Sequence, residues 1–326
     1  MMTQSETTHP QVDIKQISHN IINEISKAVI GKNEVIEDVL AAFFAGGHVL
    51  LEDNPGVAKT LLAKSFSTVL DLQFSRVQFT PDLLPNDITG GHIYNRKNNE
   101  FELNKGPVFT NILLADEINR ASPKTQSALL ESMAEKQVTL EGVCIKLPDP
   151  FWVIATQNPL EHESTYNLPE AQLDRFALKL SIGYPTKPLE MQLLRNRLKR
   201  KQDEVNLSCI ASKQQIKQIK KQIEEVEVDE SLLAYIIELV QKTRNSHEIA
   251  LGASPRAGLA LLALARSRAA IQGRTFVKPD DIKHFIFKVL VHRIVLNPEL
   301  WLSKNEDLNQ INKIIESINL PVLEGV

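Results

Sequence analysis

The sequence predicts an α/β fold built on a parallel sheet and followed by a helical domain. Three observations carry that prediction. Short, continuous apolar runs at His48-Val49-Leu50-Leu51-Glu52, Asn111-Ile112-Leu113-Leu114-Ala115 and Phe151-Trp152-Val153-Ile154-Ala155 each end in polar residues. Such runs fit strands covered on both faces, because strands with one wet face alternate instead. Helical spacing separates them, as parallel crossovers require. Beyond Gly183-Tyr184-Pro185-Thr186-Lys187-Pro188 the pattern changes, and only helices are predicted.

Residues 1–10 read as a disordered tail. Ile14, Ile17, Ile21, Ile22 and Ile25 then recur at helical spacing between Val12 and Ile30. Glu34–Ala45 forms a second helix, closed by Gly46-Gly47. The strand at 48–52 runs straight into a loop and a helix from Lys59 to Leu70. Ser122 is an N-cap with Pro123 in the first helical position, opening a helix to Ala134. Two hairpins are inserted in this core. Gly90–Tyr94 and Glu100–Leu103 flank the polar tip Asn95–Asn99, while Gln137–Leu140 and Val143–Leu147 flank Glu141-Gly142. In the second half, Ile216, Ile219 and Ile223 form one stripe and Leu232–Val240 is densely apolar. Ser254-Pro255 opens a helix to about Gln272, and Pro279 opens another. The expected division is an N-terminal tail and helix over 1–28, an α/β core over 29–185 and a helical domain over 186–326.

Composition narrows the function. The 326 residues are 43% hydrophobic and 24% charged, in the range of globular proteins. The 37 basic and 40 acidic residues leave a formal charge of −3, which argues against general nucleic-acid binding. Cys144 and Cys209 form no CxxC pair, so neither a disulfide framework nor a zinc site is implied. His48, His92, His162, His284 and His292 follow no metal spacing, and Trp152 and Trp301 read as core. The start of the chain shows no secretory signal, and the apolar stretch Val39–Leu51 is too short to span a bilayer. A cytoplasmic protein without membrane insertion is expected.

The chemistry is carried by Asn54-Pro55-Gly56-Val57-Ala58-Lys59-Thr60, a phosphate-binding loop between a strand and a helix. Backbone N–H groups and a helix N-terminus face an anion in such loops, and a lysine reaches the terminal phosphates. Gly56 allows close approach, Lys59 supplies charge, and the Thr60 hydroxyl would ligate Mg²⁺. The strict pattern has two further glycines, where this chain carries Asp53 and Ala58. Asp116-Glu117 ends an apolar strand roughly 55 residues downstream. Asp116 would hold Mg²⁺ through water, and Glu117 would polarise the water attacking the γ-phosphate of ATP. Asn158, ending the next strand, supplies a neutral amide to orient that water.

Taken together, these residues resemble the MoxR family of AAA+ ATPases. The resemblance rests on Leu51–Thr60, Gln78–Pro85, Gly106–Phe109, Ala115–Ala121, Ala155–Pro159 and Leu168–Phe176, and it runs from about Val29 to about Ile294. It implies a P-loop AAA+ core with a parallel sheet and two inserted β-hairpins, then an all-helical lid. Asp53 and Ala58 are substitutions that MoxR-like loops carry. Residue by residue, the resemblance makes Asn158 the sensor-1 position and Arg175 the arginine finger reaching a neighbour's nucleotide. Arg256 becomes sensor 2, expected to close the lid onto the phosphates. Val29-Ile30-Gly31-Lys32 resembles the segment lining the adenine pocket, with Lys32 where glutamine is common. Arg120 is read either as an interface residue or as a surface ion pair. Gln78 is read as a core hydrogen-bonding residue, the alternative being coupling to Glu117. The basic helix around Arg195–Lys201 is read as a solvated lid face.

The resemblance further implies ATP and Mg²⁺ as cofactors, a homo-oligomer of hexameric form, and partners carrying von Willebrand factor A domains. Remodelling or maturation of protein complexes, metal-cofactor insertion included, is the expected work. Three competing readings are a nucleotide-gated scaffold with little turnover, a magnesium-chelatase-like motor and a DNA-directed motor.

Overall fold

The computed structural model describes residues 12–159, 166–297 and 306–318. The predicted N-terminal tail, His162, Trp301 and residues 319–326 lie outside them. Helices α1 (Ile14–Ser26) and α2 (Asn33–Phe44) lead into β1 (His48–Glu52), α3 (Lys59–Val69) and β2 (Phe74–Gln78). The short α4 (Pro85–Thr89) precedes a hairpin of β3 (Gly90–Asn95) and β4 (Glu100–Lys105). Next come β5 (Ile112–Asp116), α5 (Pro123–Glu135), the hairpin β6 (Gln137–Leu140) and β7 (Val143–Lys146), and β8 (Trp152–Gln157). One turn of helix, α6 (Glu170–Leu173), and β9 (Phe176–Leu180) complete this half.

The five core strands lie in the order β2-β5-β8-β1-β9, and every pairing is parallel. Side chains alternate between faces, so each strand feeds two cores. Val49, Leu51, Ile112, Leu114, Trp152 and Ile154 join α1, α2 and α3 on one face. Leu50, Leu113, Ala115, Val153 and Ala155 join α5 and the hairpin bases on the other. Trp152 sits edge-on to Phe43 and Phe66 at 5.0 and 5.6 Å, and its indole N–H donates to the Gly47 carbonyl at 2.8 Å. Ser122 caps α5 by accepting from the Thr125 amide, as its place before Pro123 suggested.

Two core strands lack the expected apolar run. β2, at the sheet edge, interleaves Ser75, Arg76 and Gln78 with its apolar residues. β9 is interrupted by Lys179, which pairs with Glu52 of β1 at 2.7 Å.

The second half holds α7 (Lys187–Arg200), α8 (Lys213–Glu224), α9 (Glu230–Asn245), β10 (Ile249–Leu251) and α10 (Pro255–Ile271). It continues with α11 (Pro279–Leu290), β11 (Val295–Leu296) and α12 (Glu306–Glu316). The expectation of an all-helical lid is corrected here, because β10 and β11 pair antiparallel. Strands of three and two residues are too short to leave a period in the sequence. Ile216, Ile219 and Ile223 are buried, and with Leu261 and Phe285 they extend the α1–α3 core without a break. No helix among the described residues is long and apolar enough to cross a membrane.

His48 shows how tightly this sheet is sealed. Its Nδ1 accepts from the Val153 amide at 3.0 Å, so its Nε2 carries the proton and donates to the Met133 carbonyl at 3.2 Å. Burial holds its pKa down at about 4, and it pushes His292 well below the usual range too. An unfolded histidine titrates near 6.5, so the native state is fully favoured above that pH and loses stability as pH falls toward 4. His48 alone accounts for about 3 kcal/mol across this window. The thermal midpoint is expected to drop between pH 6.5 and 4 while the His48 ring resonances stay those of neutral imidazole to about pH 5; a flat midpoint would contradict the assignment.

Candidate active site

The phosphate loop leaves the C-terminal end of β1, at the middle of the sheet. Gly56 has φ +85° and open space where a Cβ would stand. Ala58 is left-handed at φ 64°, in the place of a glycine of the strict pattern, and costs about 1 kcal/mol of backbone strain. It starts α3, whose first-turn amides have no partner inside the helix. The buried Lys59 ammonium donates to the Asp53 carbonyl at 2.7 Å. Asp53, the other departure from glycine, is a tie. Its carboxylate accepts from the Ser181 hydroxyl at 2.7 Å and from the amides of Ile182 and Gly183 at 2.6 and 3.0 Å. It binds the start of the loop to the chain leaving β9. Gly31, next to Ile30 in the predicted adenine segment, has φ +73° and lies against Leu189 of α7. Lys32 donates to the Tyr184 carbonyl at 3.1 Å.

The acidic pair ends β5, with β8 between it and β1. Thr156 of β8 donates its hydroxyl to Asp116 Oδ1 at 2.6 Å and accepts the Glu117 amide at 2.8 Å. Asp116 Oδ2 accepts from Nε and Nη2 of Arg76 at 3.1 and 2.8 Å. Glu117 is left-handed at φ 56°, and its Oε2 accepts from Gln78 at 2.6 Å and Arg120 at 2.9 Å. Arg76 also donates to Gln78 Oε1 at 2.7 Å, closing one polar network across the strand ends. Gln78 is therefore bonded to Glu117 and not to the core, which corrects the preferred reading. Asn158 is buried directly beyond β8, between the acids and the loop. Thr60 and Asp116 are hard oxygen donors of the kind Mg²⁺ selects.

Arg175 and Arg256 lie elsewhere. Arg175 directly precedes β9, whose Phe176 pairs with His48, so it stands at the N-terminal end of β1. The loop leaves the other end, about 15 Å away for a strand of this length. Arg256 opens α10 and shares with Arg175 a cleft of about 330 Å³, lined also by Asp174 and Arg293. Asp174 accepts from Ser254 at 2.7 Å and from Arg293 Nε at 2.9 Å, joining the two arginine-bearing segments. Arg256 beside the buried Arg293 guanidinium adds to the burial that lowers its pKa. Closure of Arg256 onto the chain's own phosphates, as first expected, does not follow from this placement.

Against known proteins, residues 48–178 match the model of the ATPase family associated with various cellular activities (AAA), and residues 241–314 match an AAA lid domain. The chaperone MoxR1 of Mycobacterium tuberculosis is 40% identical over 94% of this chain and 82% of its own length. The chain belongs to the MoxR family of AAA+ ATPases. An uncharacterised Bacillus subtilis protein, YeaC, is 44% identical to this MoxR-family chain over 96% of it and 97% of the relative. The crystal structure of a presumed ATPase from Cytophaga hutchinsonii superposes with a TM-score of 0.88 at 41% identity, covering 95% of this chain and 96% of that one.

Four residues escaped the sequence reading of this MoxR-family ATPase. Thr156 had a signal, a hydroxyl inside a continuous apolar run. Arg76 had a weaker one, a cation on a strand-like segment before Gln78. Asp174 and Arg293 had none, because their partnership spans 119 residues. Among the described residues, Glu34, Asp38 and His284 could group around a metal, but the Lys288 ammonium sits among them at 3.0, 2.6 and 3.1 Å. For Asp53, replacement by alanine orphans two backbone donors and should cost about 3 kcal/mol. Asp53→Asn should cost less, and equal denaturant midpoints for wild type and Asp53→Ala would refute the tie.

Proposed function

We propose that this ATPase works in the cytoplasm as a head-to-tail ring, a hexamer, whose sites are each built by two protomers. Lys59, Thr60, Asp116, Glu117 and Asn158 of one chain would meet Arg175 and Arg256 of the next. The observation that carries this is the separation of the two sets at opposite ends of β1. A strand cannot bring its own ends together, whereas a neighbour stacked head-to-tail can. On this reading Ile30 and Gly31 border the base, and residues 54–60 cradle the phosphates. Mg²⁺ would be held by Thr60 and, through water, by Asp116, and would neutralise phosphate charge. Glu117 takes hydrogen bonding from the attacking water, Asn158 orients it, and the arriving arginines offset negative charge in the transition state.

Turnover would remodel or mature partner protein complexes, metal-cofactor insertion among them, with partners carrying von Willebrand factor A domains. The hairpins support a partner-facing role, since Ile93, Tyr94, Phe101 and Val143 are all exposed on them. The division at 28 and 185 also belongs to this reading, with the lid starting as the sheet ends. A gated form of the same activity is favoured by one specific observation. Both acids are already engaged, Asp116 by Arg76 and Glu117 by Gln78 and Arg120.

Mixing decides the shared site. Arg175→Ala should lose ~10³-fold in turnover and Glu117→Gln should also be inactive. At equal mixing, one half of the sites keep Glu117 and one half of those face an intact Arg175, so about a quarter of wild-type activity should return. A mixture no faster than its two components would show that the arginine serves its own chain. For gating, Arg76→Met should lower the Mg²⁺ concentration at half-maximal turnover about threefold, the size of a part-exposed ion pair. A rise instead would mean that Arg76 organises Asp116 for the cation rather than competing with it.

A further inference from the structure

Two unpartnered apolar surfaces remain outside the site. The first is α7, which has no buried residue along its whole length. Met191, Leu194 and Leu198 follow at spacings of three and four, one stripe of a helix, and they are 46, 63 and 76% exposed. Arg195 and Lys199 lie exposed beside the stripe. A solvated face accounts for the cations but not for this stripe. The second is a groove of about 440 Å³ between α9 and α10, lined by Leu233, Ile236, Ile237, Val240, Leu259 and Leu262 among others. Ile237 and Leu259 are 57 and 67% exposed, and α9 carries the exposed acids Glu230 and Glu238.

We propose that α7 of one protomer seats in the α9–α10 groove of the adjacent copy of this chain. The inference rests on the ring reading and names its contact. Placement argues for a second copy over any other occupant. Leu259 lines both the groove and the cleft of Arg175 and Arg256, so the two surfaces are continuous. The stripe lies on the nucleotide side: Leu189 packs on Gly31, and α7 follows directly from the Ile182-Gly183 amides that hold Asp53. Whatever neighbour brings its arginines to this loop therefore brings its groove toward this helix. Charge agrees, with the cations of α7 meeting the acids of α9. Helix and groove are different patches of one surface, so the contact is heterologous and propagates head-to-tail, as a ring needs.

Crosslinking between two differently marked chains tests this. In a background of Cys144→Ser and Cys209→Ser, one chain carries Leu198→Cys and another Ile237→Cys, both with Glu117→Gln to hold ATP. A short bismaleimide should give a covalent dimer in the mixture, and neither chain alone should give one. Leu194→Cys in place of Leu198→Cys covers a shift of one turn along the helix. In parallel, Leu198→Glu, at an exposed position that leaves the fold intact, should weaken ATP-dependent assembly about tenfold by sedimentation, the worth of burying one leucine. A mixture that sediments as assembled yet forms no crosslink at either position overturns the docking and leaves the ring standing. Wild type that stays monomeric at every concentration removes the ring and this contact with it. Leu198→Glu that assembles normally but loses stimulation by a partner protein would assign the stripe to a client, against the proposal.

Discussion

β1 is five residues long, buried, and paired in parallel on both sides, by β8 and by β9. Parallel pairing points all strand ends the same way, so everything following a strand gathers at one edge and everything preceding it at the other. The phosphate loop follows β1, the acids follow β5, and Asn158 follows β8. Arg175 precedes β9. With the sheet packed on both faces, neither edge can fold over to the other, and half of the proposed machinery is held a strand's length from the rest. The lid reinforces the division: Asp174 and Arg293 anchor Ser254, and with it Arg256, to the edge that the loop does not occupy.

At the occupied edge the chain has exchanged backbone permissiveness for side-chain bonding. Where the strict loop has glycines, Asp53 accepts three hydrogen bonds and Ala58 accepts a strained conformation. Charge-assisted bonds to buried amides are worth more than the strain of one left-handed alanine. Thr156 does for the acids what Asp53 does for the loop, touching Asp116 and the Glu117 backbone at once. The edge is thus organised from the protein side, with Arg76, Gln78 and Arg120 on the carboxylates.

Much of this was legible. The strand at 48–52, the Ser122 and Ser254 caps, both hairpins and the stripe of Ile216, Ile219 and Ile223 follow from local rules of burial, capping and turn chemistry. Lys59, Thr60, Asp116, Glu117 and Asn158 were legible because each sits at a junction whose order along the chain matches its order in the sheet. β2 and β9 were not, since an edge strand and a strand carrying a paired lysine lose the apolar run. β10 and β11 were too short to show a period. Gln78 looked like a core residue because its partner, Glu117, is 39 positions away.

The sequence by itself determined which residues carry the phosphate chemistry and what kind of fold presents them, because both depend on local pattern and on the sign and reach of side chains. Only the tertiary structure decided which of those residues share an edge. Arg256 reads from sequence as a lid cation for its own nucleotide, and the fold places it beside Arg175 instead. Adjacency between segments far apart in the chain is set by strand order and core packing, and neither is written in the spacing of residues along one line.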